Sequence, residues 1–224
     1  MRTQMLRIFI DTSDVTQLHK HLHDSRISGC TTNPALMKQA GIASYRNFAT
    51  IVLGIANGRP VSFEVIADDF DEMERQARLL ASWGENVYVK LPITNTLGHS
   101  TIPLIEKLND LHLNITAVMT GAQIDALHGV LSPHHILSVF AGRIADTGRD
   151  PMHVMRKARL CKAQLLWASA REILNVYQAE ECGCDIITLT PNLIDKLALH
   201  GKSLSEYSLE TVRMFYRDGM GIKL

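Results

Sequence analysis

An excess of charge of either sign is missing: 23 Lys plus Arg stand against 23 Asp plus Glu, a formal net charge of zero with histidine neutral. Without a global positive field there is nothing to hold nucleic acid or an anionic membrane surface, so any anion must be bound locally. Long apolar runs are missing too, and none approaches the roughly 20 residues that a bilayer-spanning helix needs. The opening MRTQMLRIFIDTSD turns to charge too early for a secretion signal, and a cytoplasmic protein is expected. Cys30, Cys161, Cys182 and Cys184 are too sparse for a disulfide framework, and Cys182-Gly-Cys184 lacks the second close pair of a zinc site. Buried, reduced thiols are the expectation. Only 7 prolines and 14 glycines exclude collagen-like or linker-rich chains, while 46% hydrophobic and 21% charged residues suit an ordinary folded domain.

What is present is a repeating alternation. LRIFID, SRISGC, PVSFEV, NVYVKL, LNITAV, HILSVF, AQLLWAS and CDIITL are short, mostly β-branched runs, each followed by a helix-length segment. Between Phe70 and Trp83, for example, Phe70, Met73, Ala77, Leu80 and Ala81 fall along one helical stripe. Eight such units predict an α/β fold, a single (β/α)₈ TIM barrel, with a doubly wound open sheet as the alternative architecture. A length of 224 residues, at roughly 150 per domain, lies between one domain and two. No linker or composition shift marks a boundary, so residues 1–224 read as one barrel domain with an extra C-terminal helix over residues 206–218. Leu209, Val212, Met214 and Phe215 give that helix an apolar face, for packing on its own barrel or for a subunit contact.

Strand parity then separates the barrel interior from the helix layer. If Val87, Val89 and Leu91 face the helices, Tyr88 and Lys90 point inward. The same reasoning places Asp11 inside opposite Ile8 and Ile10, Glu64 opposite Val61, Phe63 and Val65, and Asn114 with Thr116 opposite Leu113 and Ile115. Ser138 shares an interior face with Ile136 and Phe140, and Ser169 a face with Trp167. These polar residues stand late in their strands, at the end of the barrel that carries chemistry. An isolated charge in a poorly solvated interior is costly, so Lys90, Asp11 and Glu64 need a common network or a common purpose. The purpose they suit is amine catalysis. A lysine in low dielectric loses proton affinity, its neutral amine attacks a ketone, and the resulting iminium accepts electrons from a carbon–carbon bond while carboxylates move the protons.

Together FIDTSD, TTNPAL, SFEV, VYVKLPIT, LNITAVMT, SVFAGRIADTGRDP, WASAREI and DIITLTP resemble the transaldolase family, in order and over nearly the whole chain. The resemblance implies a barrel that transfers a dihydroxyacetone unit between sugar phosphates through a Schiff base, with neither metal nor organic cofactor. It implies that Lys90 forms the Schiff base, that Asp11 is an acid/base at the C4 hydroxyl, and that Glu64 works with Thr116 through a catalytic water. Asn33 of TTNPAL, Asn114 and Ser138 correspond to positions that grip the dihydroxyacetone hydroxyls, Thr32 and Phe140 to further substrate-binding positions, and Arg143, Ser169 and Arg171 to the phosphate clamp. Guanidinium groups suit phosphate because each can donate two parallel hydrogen bonds.

The small-subunit branch of this family also contains fructose-6-phosphate aldolases, which release dihydroxyacetone instead of passing it on. Those carry Gln where this chain has Glu64 and Tyr where it has Phe140, and they lack the equivalents of Asn114 and Ser138. A transaldolase is therefore the expectation, with an aldolase-like or specialised-pathway Schiff-base lyase as the alternative and a noncatalytic phosphosugar-binding barrel behind it. The branch also implies homo-oligomers, often ring-like decamers joined by the C-terminal helix. Two departures, Ala170 in place of an aromatic and the Leu36-Met37 pair after TTNP, carry the expectation of a widened pocket.

Other signals carry less. His19, His21 and His23 alternate on a helix, diverge by about 200°, and are expected at the solvated surface. His134-His135 reads as a loop pair, and Gly121, Gly142 and Gly148 make no dinucleotide fingerprint. DDFDEMER reads as an acidic helix start that complements the dipole, and Met155 and Cys161 as core.

Overall fold

Each of the eight apolar runs forms a strand: β1 (Arg7–Asp11), β2 (Ile27–Thr31), β3 (Val61–Glu64), β4 (Val87–Pro92), β5 (Leu113–Val118), β6 (Ile136–Val139), β7 (Gln164–Trp167) and β8 (Ile186–Leu189). They are parallel and close in sequence order, with β8 pairing back onto β1. The computed structural model describes residues 5–223; the first four residues of the opening segment read for a targeting signal, and Leu224, lie outside them. The helices are α1 (Val15–Leu22), α2 (Pro34–Gln39), α3 (Tyr45–Ala56), α4 (Phe70–Ala81), α5 (Ile102–Lys107), α6 (Gly121–Leu127), α7 (Ala141–Asp146), α8 (Met152–Ala158), α9 (Leu174–Glu181), α10 (Pro191–Lys196) and α11 (Leu204–Gly219). The fold is a (β/α)₈ barrel. No helix among the described residues is long and apolar enough to cross a membrane.

Local chemistry explains the helix starts. In α4 the Asp69 carboxylate accepts from the Asp71 and Glu72 N–H groups, and those two acids oppose the helix dipole, as expected for DDFDEMER. Met73, Ala77 and Leu80 form the stripe that α4 buries. In α1 the buried stripe is Leu18, His21 and Leu22. This corrects the reading of His21 as surface: helical spacing puts it on the apolar face, where it is 5% exposed, while His19 and His23 remain outside. His135 is fully buried in the turn before β6, where its Nδ1 accepts from Ser132 N at 3.2 Å, and burial pushes the imidazole down to about 4. Cys30, Cys161, Cys182 and Cys184 are buried and unbridged, and Met155 is core.

The barrel interior is layered. Phe9, Ile136, Leu166, Ala168 and Ile186 form an apolar plug, with Tyr88 and Phe140 packed against it. Gly29 makes room for the plug, since a Cβ there would sit 2.8 Å from the Phe9 ring. Above the plug the inward positions turn polar. One parity expectation fails: Leu166 and Ala168 belong to the interior, so Trp167, fully buried, faces the helix layer and does not share the inward face. Ser169 reaches the interior by another route, a left-handed backbone turn at φ 60° that breaks the alternation.

The chain divides into two compact units at Ile194. The barrel belongs to the first. The second, from Asp195, contains a 3₁₀ turn over Leu197–Leu199 and α11, which begins two residues before the expected helix start at Glu206 and ends one residue past Asp218. No residue of α11 is buried.

Candidate active site

Strand register builds the centre of the site. Glu64 pairs with Lys90 across β3 and β4, and Lys90 with Asn114 across β4 and β5, all three pointing inward. Their C-terminal position opens Glu64 and Lys90 to a cavity of ≈ 350 Å³ lined by Asp11, Asn33, Glu64, Lys90, Thr116, Ser138, Phe140, Arg143 and Ser169, nine of the twelve residues expected in the site. Lys90, 6% exposed, places Nζ 3.1 Å from Glu64 Oε2 and donates to the Thr32 carbonyl at 2.9 Å. A buried cation is tolerable only with such partners.

Asp11 lines the same cavity. Burial raises its carboxyl above the usual range, the Lys90 charge and a hydrogen bond from Thr31 oppose that rise, and the Glu64 charge adds to it. Thr31 Oγ1 donates to Asp11 Oδ1 at 2.7 Å and lies 2.6 Å from Thr188 Oγ1. A hydroxyl has one proton, so Thr188 donates to Thr31 and a directed chain ends on the carboxylate. A carboxyl with a raised affinity for its proton is the better suited to take one from a substrate hydroxyl. Thr31 and Thr188 were not expected here. Continuing the period-two reading of SRISGC by one residue, and applying it to DIITL, would have found both.

Asn114 and Thr32 stand one layer behind the cavity. Ser138 Oγ donates to Asn114 Oδ1 at 2.6 Å, and Asn114 Nδ2 donates to Ser62 Oγ at 3.1 Å. Asn114 therefore fixes the Ser138 hydroxyl, which is the member of the pair at the cavity wall. Thr32 is fully buried, and its hydroxyl donates to the Ser62 carbonyl at 2.9 Å. Asn33 caps α2 by accepting from Leu36 N at 2.9 Å, which leaves its two amide N–H donors for a ligand. Thr116 Oγ1 is buried, lines the cavity, and has no hydrogen-bond partner among the described residues.

The expected phosphate clamp comes together only in part. Arg143, on α7, and Ser169 line the cavity. Arg171 does not: its Nε donates to Asp146 Oδ1 at 3.0 Å, so the carboxylate at the end of α7 takes the guanidinium. Gly142 is the missed member of this corner. A Cβ at Gly142 would lie 1.6 Å from the Ser169 carbonyl oxygen, and Gly142 N donates to Ala168 O at 3.3 Å, so α7 begins against the Ser169 backbone. The expected widening also finds no place, because Ala170 and Met37 are buried and neither they nor Leu36 line the cavity; Pro34 and Ala35 of α2 do.

Known proteins resemble this chain in fold and in family. Of proteins with solved structures, the tryptophan synthase A-subunit from Pyrococcus furiosus is similar with a TM-score of 0.58 at 11% identity over 90% of this chain and 93% of that one, a likeness of fold alone. A probable transaldolase of Dehalococcoides mccartyi is 31% identical over 87% of this chain and 91% of its own length. A probable transaldolase of Herpetosiphon aurantiacus is likewise 31% identical, over 92% of each. The family described as transaldolase/fructose-6-phosphate aldolase matches residues 8–222, and the chain belongs to that family.

Proposed function

We propose that the protein is a transaldolase that moves a dihydroxyacetone unit from a ketose phosphate, fructose 6-phosphate or sedoheptulose 7-phosphate, to an aldose phosphate through a Schiff base on Lys90. The observation that carries this reading is the buried Lys90 amine, 3.1 Å from the Glu64 carboxylate in a cavity that Asp11 also lines. Glu64 takes the Lys90 proton, the amine adds to the C2 ketone, and that proton returns to the carbinolamine hydroxyl, which leaves as water to give an iminium. The Asp11 carboxylate takes the C4 hydroxyl proton, the C3–C4 bond breaks, and its electron pair is held as an enamine while the aldose phosphate departs. The enamine carbon attacks the carbonyl of the incoming aldose, the new hydroxyl recovers a proton, and water frees the product ketose from Lys90. Glu64 and the unpartnered Thr116 hydroxyl suit a water between them that serves formation and hydrolysis of the iminium. Ser138 and Asn33 suit the retained hydroxyls, and Arg143 with Ser169 the phosphate.

Glu64 and Phe140 favour transfer over release, since the cavity wall at Phe140 offers no phenol to protonate the enamine. With both a ketose phosphate and an aldose phosphate supplied, transferred product is expected in excess over free dihydroxyacetone. Glu64→Gln combined with Phe140→Tyr is expected to raise the free share at least several-fold. Free dihydroxyacetone as the main product of the wild type would replace this reading with the aldolase. The apolar Leu209, Val212 and Phe215 of α11, 48%, 59% and 64% exposed, support a homo-oligomer joined through that helix, a decamer in the manner of the small-subunit branch.

A further inference from the structure

We infer that Tyr45 is a positioning residue that holds Glu64 beside Lys90 in place of two missing rungs of the β2–β3 ladder. The inference rests on the reading of Glu64 as part of the catalytic site. Tyr45, the first residue of α3, uses one hydroxyl twice: Oη accepts from Glu64 N at 2.8 Å and donates to Glu64 O at 3.0 Å. It thereby satisfies both backbone groups of the residue that touches the lysine.

The need arises from the ladder itself. Cys30 N donates to Pro60 O at 2.9 Å and Thr32 N to Ser62 O at 3.1 Å. In a parallel pair the bonds recur every two residues, so the next would run from Glu64 N to Thr32 O and from residue 34 N to Glu64 O. The second is impossible because residue 34 is proline and has no N–H. In place of the first, Thr32 O receives Lys90 Nζ at 2.9 Å. The same break that gives Lys90 its carbonyl partner strips Glu64 of both of its β2 partners, and buried peptide groups do not go unpaired without cost.

The phenol is itself held. Its ring meets Phe63 edge-on at 5.8 Å and Trp83 edge-on at 5.4 Å. Burial pushes its proton affinity up, so at neutral pH the hydroxyl keeps both roles. Beyond Glu64 the chain is secured independently, with Ile66 N and Ala67 N both donating to Gln76 Oε1, at 2.9 and 3.1 Å. Loss of the phenol hydroxyl therefore loosens Glu64 specifically.

Steady-state kinetics on the folded enzyme test this. Tyr45→Phe keeps the ring and is expected to lower kcat about tenfold or more, the scale of a misplaced catalytic group, with KM for the ketose phosphate nearly unchanged. Glu64→Gln lowers kcat by itself, and adding Tyr45→Phe to it lowers kcat no further. Trp83→Phe, which keeps an aromatic ring against Tyr45 and leaves the hydroxyl in place, lowers the melting temperature but changes kcat far less than Tyr45→Phe does. Tyr45→His, which keeps one polar ring edge, falls between Phe and the wild type and serves if the Phe variant does not fold. Wild-type kcat in Tyr45→Phe, or an equal fractional loss in the wild-type and Glu64→Gln backgrounds, would overturn the inference while leaving Glu64 in place. Full activity of Glu64→Gln alone would instead reject the reading of Glu64 on which it rests.

Discussion

Lys90→Met is expected to reduce turnover of a ketose phosphate by roughly ten-thousand-fold or more while the barrel still folds, the scale on which loss of a covalent nucleophile acts. Methionine fills nearly the same volume in the interior but cannot add to a carbonyl. The fold should survive because the apolar plug lies below Lys90 and makes no use of its charge. Stability should still fall, by about 1–3 kcal/mol, since Glu64 and the Thr32 carbonyl lose their shared partner. The neighbouring Asp11 should respond in a known direction. The Lys90 charge opposes the rise that burial imposes on this carboxyl, so removing the charge raises it further. Titration of Asp11 by NMR in both proteins checks the sign. A variant that stays folded and keeps wild-type turnover would eliminate Lys90 as nucleophile.

Gly142→Ala is the second large effect. Its methyl carbon would be placed 1.6 Å from the Ser169 carbonyl oxygen and 2.7 Å from the carbonyl carbon, both backbone atoms of a residue already in a left-handed turn. Neither α7 nor that turn can yield without moving the other, so a loss of about 3 kcal/mol in stability is expected. Arg143 and Ser169 would separate, and kcat/KM for phosphorylated ketoses should drop at least about tenfold, one lost phosphate contact being worth more than 1.4 kcal/mol. Schiff-base formation with free dihydroxyacetone, which carries no phosphate, should persist. Thermal melting and the two kinetic readouts separate these effects, and equal losses on phosphorylated and unphosphorylated compounds would show that Gly142 supports the whole barrel and not the phosphate corner.

How far the sequence reaches follows from what each residue depends on. The eight strands and the inward placement of Asp11, Glu64, Lys90 and Ser138 rest on period-two alternation, which is local and legible. Trp167 escaped that reading because Ser169 reaches the interior through its own positive φ and not by alternation, so its inward side chain does not fix the side of Trp167. Arg171 escaped it for another reason: its partner, Asp146, lies 25 residues earlier and is brought near only by barrel closure. Thr31 and Thr188 are short side chains in otherwise apolar runs, and their value appears only when β1, β2 and β8 become neighbours. Gly142 and Tyr45 act through the backbone of residues distant in sequence, and no pattern of side chains announces such a role.

On this mechanism Lys90 carries the reacting fragment. Incubation of the protein with fructose 6-phosphate, reduction with borohydride and location of the modified peptide by mass tests it directly. A stable three-carbon adduct is expected on the peptide containing Lys90, and none in Lys90→Met. An adduct on a different lysine, or an active enzyme that leaves Lys90 unmodified, would contradict it.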